Sequence, residues 1–120
     1  DEDSANFDYT HLASAADEHA HSIFVVDDAP RRSIATTRTE GVAGGTAWPD
    51  VRVERRGELI RVYVDDLATP IMETREATHG VGFVGVGSFD DTAEFDDLVI
   101  RSADVHAPAW TEHRSITVTK

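Results

Sequence analysis

The chain has 120 residues, enough for one domain with a modest core, and 40% of them are hydrophobic, as in ordinary globular proteins. Its formal net charge of −12, from 23 acidic and 11 basic residues, repels phosphate backbones and argues against a nucleic-acid partner. No apolar run approaches the ~20 residues that span a bilayer, and the absence of cysteine excludes disulfides and thiolate metal sites.

Strand patterns fill the first half of the chain. Segments rich in β-branched and aromatic residues predict strands at residues 7–12, 19–26 and 33–39. Aspartate and proline at residues 27–30 predict a turn between the second and third strands. Residues 12–21 favour only a short turn of helix, because no apolar stripe with a 3.6-residue period extends it.

The clearest unit is a predicted β-hairpin at residues 50–66. Apolar residues alternate with charged or polar ones on both of its strands: Val51, Val53, Ile60, Val62 and Val64. Arg56-Gly57 supplies the tight turn between them. The hairpin therefore has one apolar face. Residues 70–74 are expected to resume extended chain, with proline at its tolerated first position.

Two closing strands are predicted at residues 80–87 and 93–100. The first interleaves glycine with Val and Phe, which fits a strongly bent strand. Its glycines also match G-x-G-x-x-G, but no helix follows, so we reject a nucleotide-binding loop. Short strands separated by turns predict an all-β antiparallel sandwich over residues 5–102. Residues 103–120 are expected to form a tail with a last strand at residues 115–119.

Four runs of residues carry a resemblance to a known family. They are Trp48-Pro-Asp-Val-Arg-Val, Ile60-Arg-Val-Tyr-Val-Asp-Asp, Gly80-Val-Gly-Phe-Val-Gly-Val-Gly-Ser-Phe and Ala93-Glu-Phe-Asp-Asp-Leu-Val-Ile. The chain resembles the C-terminal portion of concanavalin A-like lectin/glucanase domains, in particular the family named for 3-keto-disaccharide hydrolase activity. The resemblance implies a jelly roll whose concave face binds sugar, with hydrolysis of oxidised glycosides in some members. It also implies a secreted or periplasmic protein.

Domains of that family normally begin with several strands before the segment that corresponds to residues 7–12. Missing strands leave a sheet edge and apolar surface uncovered. We therefore expect completion by a larger parent chain, by a second copy in a homo-oligomer, or by the tail strand at residues 115–119.

A histidine-rich segment supplies the first candidates for a sugar site. His19 and His21 lie two residues apart, so on a strand they point the same way, and His11 can join them from a neighbouring strand. Three imidazoles on one face suit hydrogen bonding to a sugar, or metal binding. The alternative is that these histidines are solvated or pack in the core. The resemblance favours contact with a sugar.

Carboxylates and arginines complete the candidate site. Glycoside hydrolysis usually needs two carboxylates, and Asp17 and Glu18 are the candidate catalytic residues. Because they are adjacent, they point oppositely on extended chain, and each needs a more distant partner. Arg31 and Arg38 can present a fork of donors to a keto-sugar or a uronic acid. The alternative is that these arginines offset the local acidic charge.

Four Asp-Asp pairs and two tryptophans have simpler explanations beside functional ones. Paired carboxylates at strand ends can bind calcium, although no loop has EF-hand spacing. Otherwise they form turns. Trp48 and Trp110 can stack on sugar rings, but Trp48 directly precedes a strong strand and is expected in the core.

Together these patterns favour a carbohydrate-active domain that binds a glycan, with hydrolysis of a 3-keto-glycoside as the further expectation. A surface that gathers the three histidines and a carboxylate would distinguish this enzyme from its rival. The rival is a non-catalytic binding or assembly module whose sandwich is completed by another chain, which predicts a large apolar interface.

Overall fold

The computed structural model describes residues 6–13, 21–37, 48–80, 82, 84–88 and 93–101, and over these ranges the protein is all-β without a helix. Six strands form two three-stranded antiparallel sheets. Sheet A consists of β1 (Asn6–Leu12), β2 (His21–Asp27) and β3 (Arg32–Thr37). Sheet B consists of β4 (Val51–Arg56), β5 (Leu59–Val64) and β6 (Met72–Arg75). The predicted all-β antiparallel class is confirmed.

The two sheets pack against each other as an incomplete sandwich. All six strands belong to one of the two compact units of the chain, and the other unit spans Val81–Ile116. Apolar side chains at alternate strand positions give each sheet one face to bury. The buried cluster between the sheets is formed by Ile23, Ile60, Val62 and Met72.

The hairpin of sheet B follows the strongest pattern in the sequence. Arg56 pairs with Leu59, which leaves Gly57 and Glu58 as a two-residue loop. Gly57 has φ +60°, and glycine at the first loop position is what a type II′ turn requires. The turn thus lies one residue later than the predicted Arg56-Gly57 turn.

Three aspartates adopt the left-handed backbone region. Asp28, Asp65 and Asp97 have φ values of 50°, 59° and 52°. Aspartate tolerates this region better than most residues because its short side chain bonds to nearby backbone. Asp28 and Asp65 lie in the bends that follow β2 and β5, so the Asp27-Asp28 and Asp65-Asp66 pairs form turns, as the simpler interpretation predicts. At Asp96-Asp97 the structure assigns no turn. The fourth pair, Asp90-Asp91, lies outside the described residues.

Both closing strands were predicted wrongly where the structure describes them. Residues 84–88 and 93–100 are not assigned to strands, and their large apolar side chains are exposed. A strand needs a neighbour for its backbone groups and a covered face for its side chains. Alternate glycines, as in residues 80–87, offer little side chain to bury. The predicted tail strand and most of the predicted helical turn lie outside the described residues.

Candidate functional site

Aromatic rings line the face of sheet A that points away from sheet B. Phe7, Tyr9 and His11 alternate onto this face along β1, because residues two apart on a strand share a face. The Tyr9 ring stacks on Phe24 of β2, with centroids 5.0 Å apart and ring planes 23° apart. The Phe7 and Tyr9 centroids are 5.7 Å apart. With Arg31, these residues form what we call the ring face.

Arg31 is fixed on the ring face by two contacts. Its Nη1 donates a hydrogen bond to the Tyr9 hydroxyl at 2.9 Å. Its Cζ lies 4.5 Å from the centroid of the Phe24 ring, a cation–π distance. The turn at residues 27–30, with Asp28 in the left-handed region, returns the chain so that Arg31 meets the ring of the preceding strand. The guanidinium is thereby oriented without a nearby acidic partner being needed.

The rings on this face of sheet A are accessible on the side of the edge strand β1. Ser22, Phe24 and Val26, which share this face on the central strand β2, are buried. Phe7 and Tyr9, on the edge strand β1, are partly exposed, as is His11. The accessible rings therefore lie along β1, while Ser33 and Thr36 are the exposed residues of this face on the opposite edge strand β3.

The strand register separates His11 from His21, the two described histidines of the candidate sugar site. His11 lies opposite Ser22, whereas His21 lies opposite Leu12. Directly opposed residues share a face, so this arrangement puts the two imidazoles on opposite faces of sheet A. The expectation that they share a face was wrong, because the register of β1 against β2 is not written in either strand alone. His21 is buried beside the core, and His11 remains on the ring face.

The remaining candidate site residues lie either on the surface or outside the described residues. Asp17, Glu18, His19 and Arg38 lie outside the described residues, so their roles stay predictions. Trp48 is 62% exposed, which corrects its predicted place in the core. It lies three residues before the start of β4. Trp110 also lies outside the described residues.

A charged cluster that the sequence did not reveal joins the two sheets. Nη1 of Arg55 on β4 lies 2.7 Å from Oδ2 of Asp8 on β1. Nη2 of Arg55 lies 3.5 Å from Oε2 of Glu76 and donates to the Glu76 carbonyl oxygen at 3.2 Å. His79 donates from Nε2 to the Val26 carbonyl oxygen at 2.8 Å. We call Asp8, Arg55, Glu76 and His79 the inter-sheet cluster.

The two carboxyls of the inter-sheet cluster have opposite pKa shifts. Burial raises the pKa of Asp8 despite the hydrogen bond from Arg55, and the negative charge of Glu76 adds to the rise. Burial also acts to raise the pKa of Glu76. Hydrogen bonds from Thr78 and from the amide of His79 outweigh that effect and lower the pKa to about 2. Glu76 therefore keeps its negative charge to a lower pH than Asp8 does.

The sequence signal for the inter-sheet cluster is the two-residue alternation of side chains along β1 and β4. Asp8 falls between Phe7 and Tyr9 and so points to the side of sheet A that faces sheet B. Arg55 follows Val51 and Val53 at the same two-residue spacing on β4. A carboxylate and a guanidinium on the facing sides of two sheets are expected to pair, but this expectation requires knowing that the two sheets are layered.

The described strands of sheet A bring no carboxylate to the ring face. Their two acidic residues, Asp8 and Asp27, both alternate to the other face. Carboxylates in the described turns are engaged by backbone: Asp65 accepts from the Asp50 amide at 3.1 Å, and Asp66 from the Ala68 amide at 2.9 Å. Among the described residues, no group of three or more His, Asp or Glu side chains is placed so that it could hold a metal ion.

No protein-family model, curated protein or solved structure was found to match the chain. Within the described ranges, no helix is long and apolar enough to cross a membrane.

Proposed function

We propose that the chain is a carbohydrate-binding domain whose ligand lies along the ring face. The observation that carries the proposal is the Tyr9–Phe24 stack, with Arg31 bonded to the Tyr9 hydroxyl and placed over the Phe24 ring. The apolar face of a pyranose packs on aromatic rings, and a fixed guanidinium offers planar donors to sugar oxygens. His11 and Arg31, both expected from the sequence to contact sugar, lie on this one face.

The geometry of β1 favours an extended oligosaccharide over a single sugar. Phe7, Tyr9 and His11 follow each other at two-residue intervals, which spreads their three rings over about 13 Å. A straight row of rings along an edge strand suits a chain of sugars lying parallel to that strand. We expect a neutral glycan, because a net charge of −12 repels polyanions.

Hydrolysis of a 3-keto-glycoside is the further, enzymatic part of the proposal, and it rests on the family resemblance. It depends on Asp17 and Glu18, since Asp8 and Asp27 alternate away from the ring face. Export from the cell likewise rests on the resemblance. Binding alone is supported by the contacts among Tyr9, Phe24 and Arg31.

The test is a screen of the purified chain on a glycan array, followed by calorimetric titration with the oligosaccharide that binds best. Tyr9→Ala removes the stacked ring, and we expect affinity to fall about 3- to 10-fold, the effect of one aromatic contact. Arg31→Ala should weaken binding as well, because the fixed donors are lost.

Sheet B supplies a matched control. There Arg52 lies over the Tyr63 ring, with Cζ 5.2 Å from its centroid, on a face that carries no row of rings. Arg52→Ala removes the same kind of cation–π contact and should leave glycan affinity unchanged. Equal losses in Arg31→Ala and Arg52→Ala, or no glycan bound at all, would contradict the proposal.

A further inference from the structure

The strand β4 is an edge whose apolar residues remain open. Among the described residues it pairs with one strand, β5. Val53 lies opposite Val62, which is fully buried, and so points to the core side of sheet B. Yet Val53 is 55% exposed and its neighbour on the same face, Val51, is 48% exposed. The core side of sheet B is therefore uncovered along β4.

The backbone of β4 presents a regular set of groups to this open edge. The amide of Asp65 donates to the Asp50 carbonyl oxygen at 2.8 Å, so Asp50 directs its carbonyl toward β5. In an antiparallel ladder the direction alternates from residue to residue. Val51, Val53 and Arg55 therefore direct their N–H and C=O groups outward, where another strand can pair with them.

We propose that β4 pairs antiparallel with β4 of a second copy of this chain, about a two-fold axis at Val53. In this register Val53 lies opposite Val53, and Arg52 of each copy lies opposite Glu54 of the other. The two Val53 side chains then cover each other on the core side, while two opposite-charge pairs form on the outer side. A two-fold interface repeats each contact twice, so one self-complementary strand is sufficient.

Charge selects this register from its neighbours. Alternative antiparallel registers also keep the core sides of the two copies on the same side of the joined sheet. These registers differ by moving the two-fold axis one residue at a time along β4. An axis at Arg52 places two arginines opposite each other, and an axis at Glu54 places two glutamates opposite each other. Like charges directly opposed are destabilising. The register about Val53 avoids both and pairs five residues from each copy, Val51–Arg55.

Cysteine cross-linking tests the register on the whole chain, which has no cysteine of its own. Across a hydrogen-bonded antiparallel pair the Cα atoms lie about 5.5 Å apart, within the range of a disulfide. We expect Val53→Cys to form a covalent dimer on mild oxidation. Val51→Cys is the matched control, because its two copies would lie about 13 Å apart and should stay uncoupled.

Charge reversal tests the same register without a covalent bond. Arg52→Glu leaves only glutamates at the two outer positions, and Glu54→Arg leaves only arginines. Each variant alone should run as a monomer of about 13.1 kDa in light scattering, at near-physiological salt where the wild type runs at twice that mass. Mixing the two variants should restore a dimer, because each copy then meets the opposite charge.

Circular dichroism of each variant confirms that it is folded before its mass is interpreted. A wild-type chain that stays monomeric at high concentration would overturn the proposal. So would equal cross-linking of Val51→Cys and Val53→Cys, or a mixture of charge variants that stays monomeric. Glycan binding is measured separately, because the ring face lies on sheet A and β4 lies on sheet B.

Discussion

Arg55 on β4 lies 2.7 Å from Asp8 on β1, so an ion pair spans the two layers of the sandwich. The same guanidinium also donates to the carbonyl oxygens of Glu76 and His79, at 3.2 and 2.5 Å. One side chain thus connects an edge strand of each sheet with the segment that follows β6. Removing the Arg55 side chain leaves the poorly solvated Asp8 carboxyl without its ion-pair partner. The Oδ1 atom of Asp8 already has no hydrogen-bond partner.

We expect Arg55→Ala to lower the free energy of unfolding by about 2 to 3 kcal/mol, somewhat less than the loss from a fully buried ion pair because Arg55 is partly exposed. Urea denaturation measures the change. Arg56→Ala is the control: among the described residues that arginine contacts the outward-facing Glu54, and a surface ion pair contributes little to stability. Similar losses of unfolding free energy in the two variants would show that Arg55 contributes no more to stability than a surface arginine does.

The stability of the protein should depend on Glu76 at acid pH. Its pKa is lowered from 4.5 to about 2, so between these values the unfolded chain binds more protons than the folded one. The unfolding free energy of the wild type should therefore decrease as the pH falls from 4.5 to 2. Glu76→Gln cannot titrate, and its unfolding free energy should lose this part of the pH dependence.

Thr78→Val measures how much one hydrogen-bond donor contributes to the lowered pKa of Glu76. It removes one donor to the Glu76 carboxylate, so the pKa of Glu76 should rise toward its ordinary value while the backbone bonds remain. Carboxyl-carbon NMR titration of the wild type and of Thr78→Val measures that rise directly. An unchanged Glu76 titration would exclude the hydroxyl as a cause of the low pKa.

Two isoleucines, one in the core and one on the surface, should respond differently to truncation. Ile23 is buried between the sheets, and Ile23→Ala should cost about 3 kcal/mol because it leaves a cavity. Ile100 is 45% exposed, and Ile100→Ala should cost well under 1 kcal/mol. Thermal and urea unfolding of both variants checks the contrast. A large loss at Ile100 would mean that its side chain becomes buried in an assembly.

The hairpin turn gives a prediction about backbone conformation alone. Gly57 has φ +60° and nothing within 4 Å of an added Cβ, so Gly57→Ala should cost about 1 kcal/mol through strain rather than through a clash. Gly85 is equally open but does not have a positive φ, and Gly85→Ala should be neutral or slightly stabilising. Stability measurements on the pair isolate the effect of φ.

Much of the strand pattern could be predicted because burial of one face imposes a two-residue period. Val51–Arg56 and Leu59–Val64 followed directly from that period and the turn glycine. The opposite faces of His11 and His21 did not, because they depend on a register set between two strands. The inter-sheet cluster was missed for a similar reason: Asp8 and Arg55 are 47 residues apart and meet only when the layers stack.

The ring face was predicted only in part. Arg31 and His11 were expected to contact sugar, but Phe7 and Tyr9 were not singled out, because a lone aromatic residue in a strand usually signals core. The turn that brings Arg31 back over Phe24 gives those rings a polar neighbour. The apolar residues at 84–88 and 93–100 show the reverse error, since their composition suggests strands while their exposure does not.

In both sheets every ladder joins strands that are consecutive along the chain. Each sheet can therefore form from its local turns at little cost in chain entropy, because its strand pairings are local in sequence. Stacking the two finished meanders is then the step that requires residues far apart in sequence to meet. The meanders need not form in a fixed order, and their side chains, not a shared backbone ladder, decide how they align.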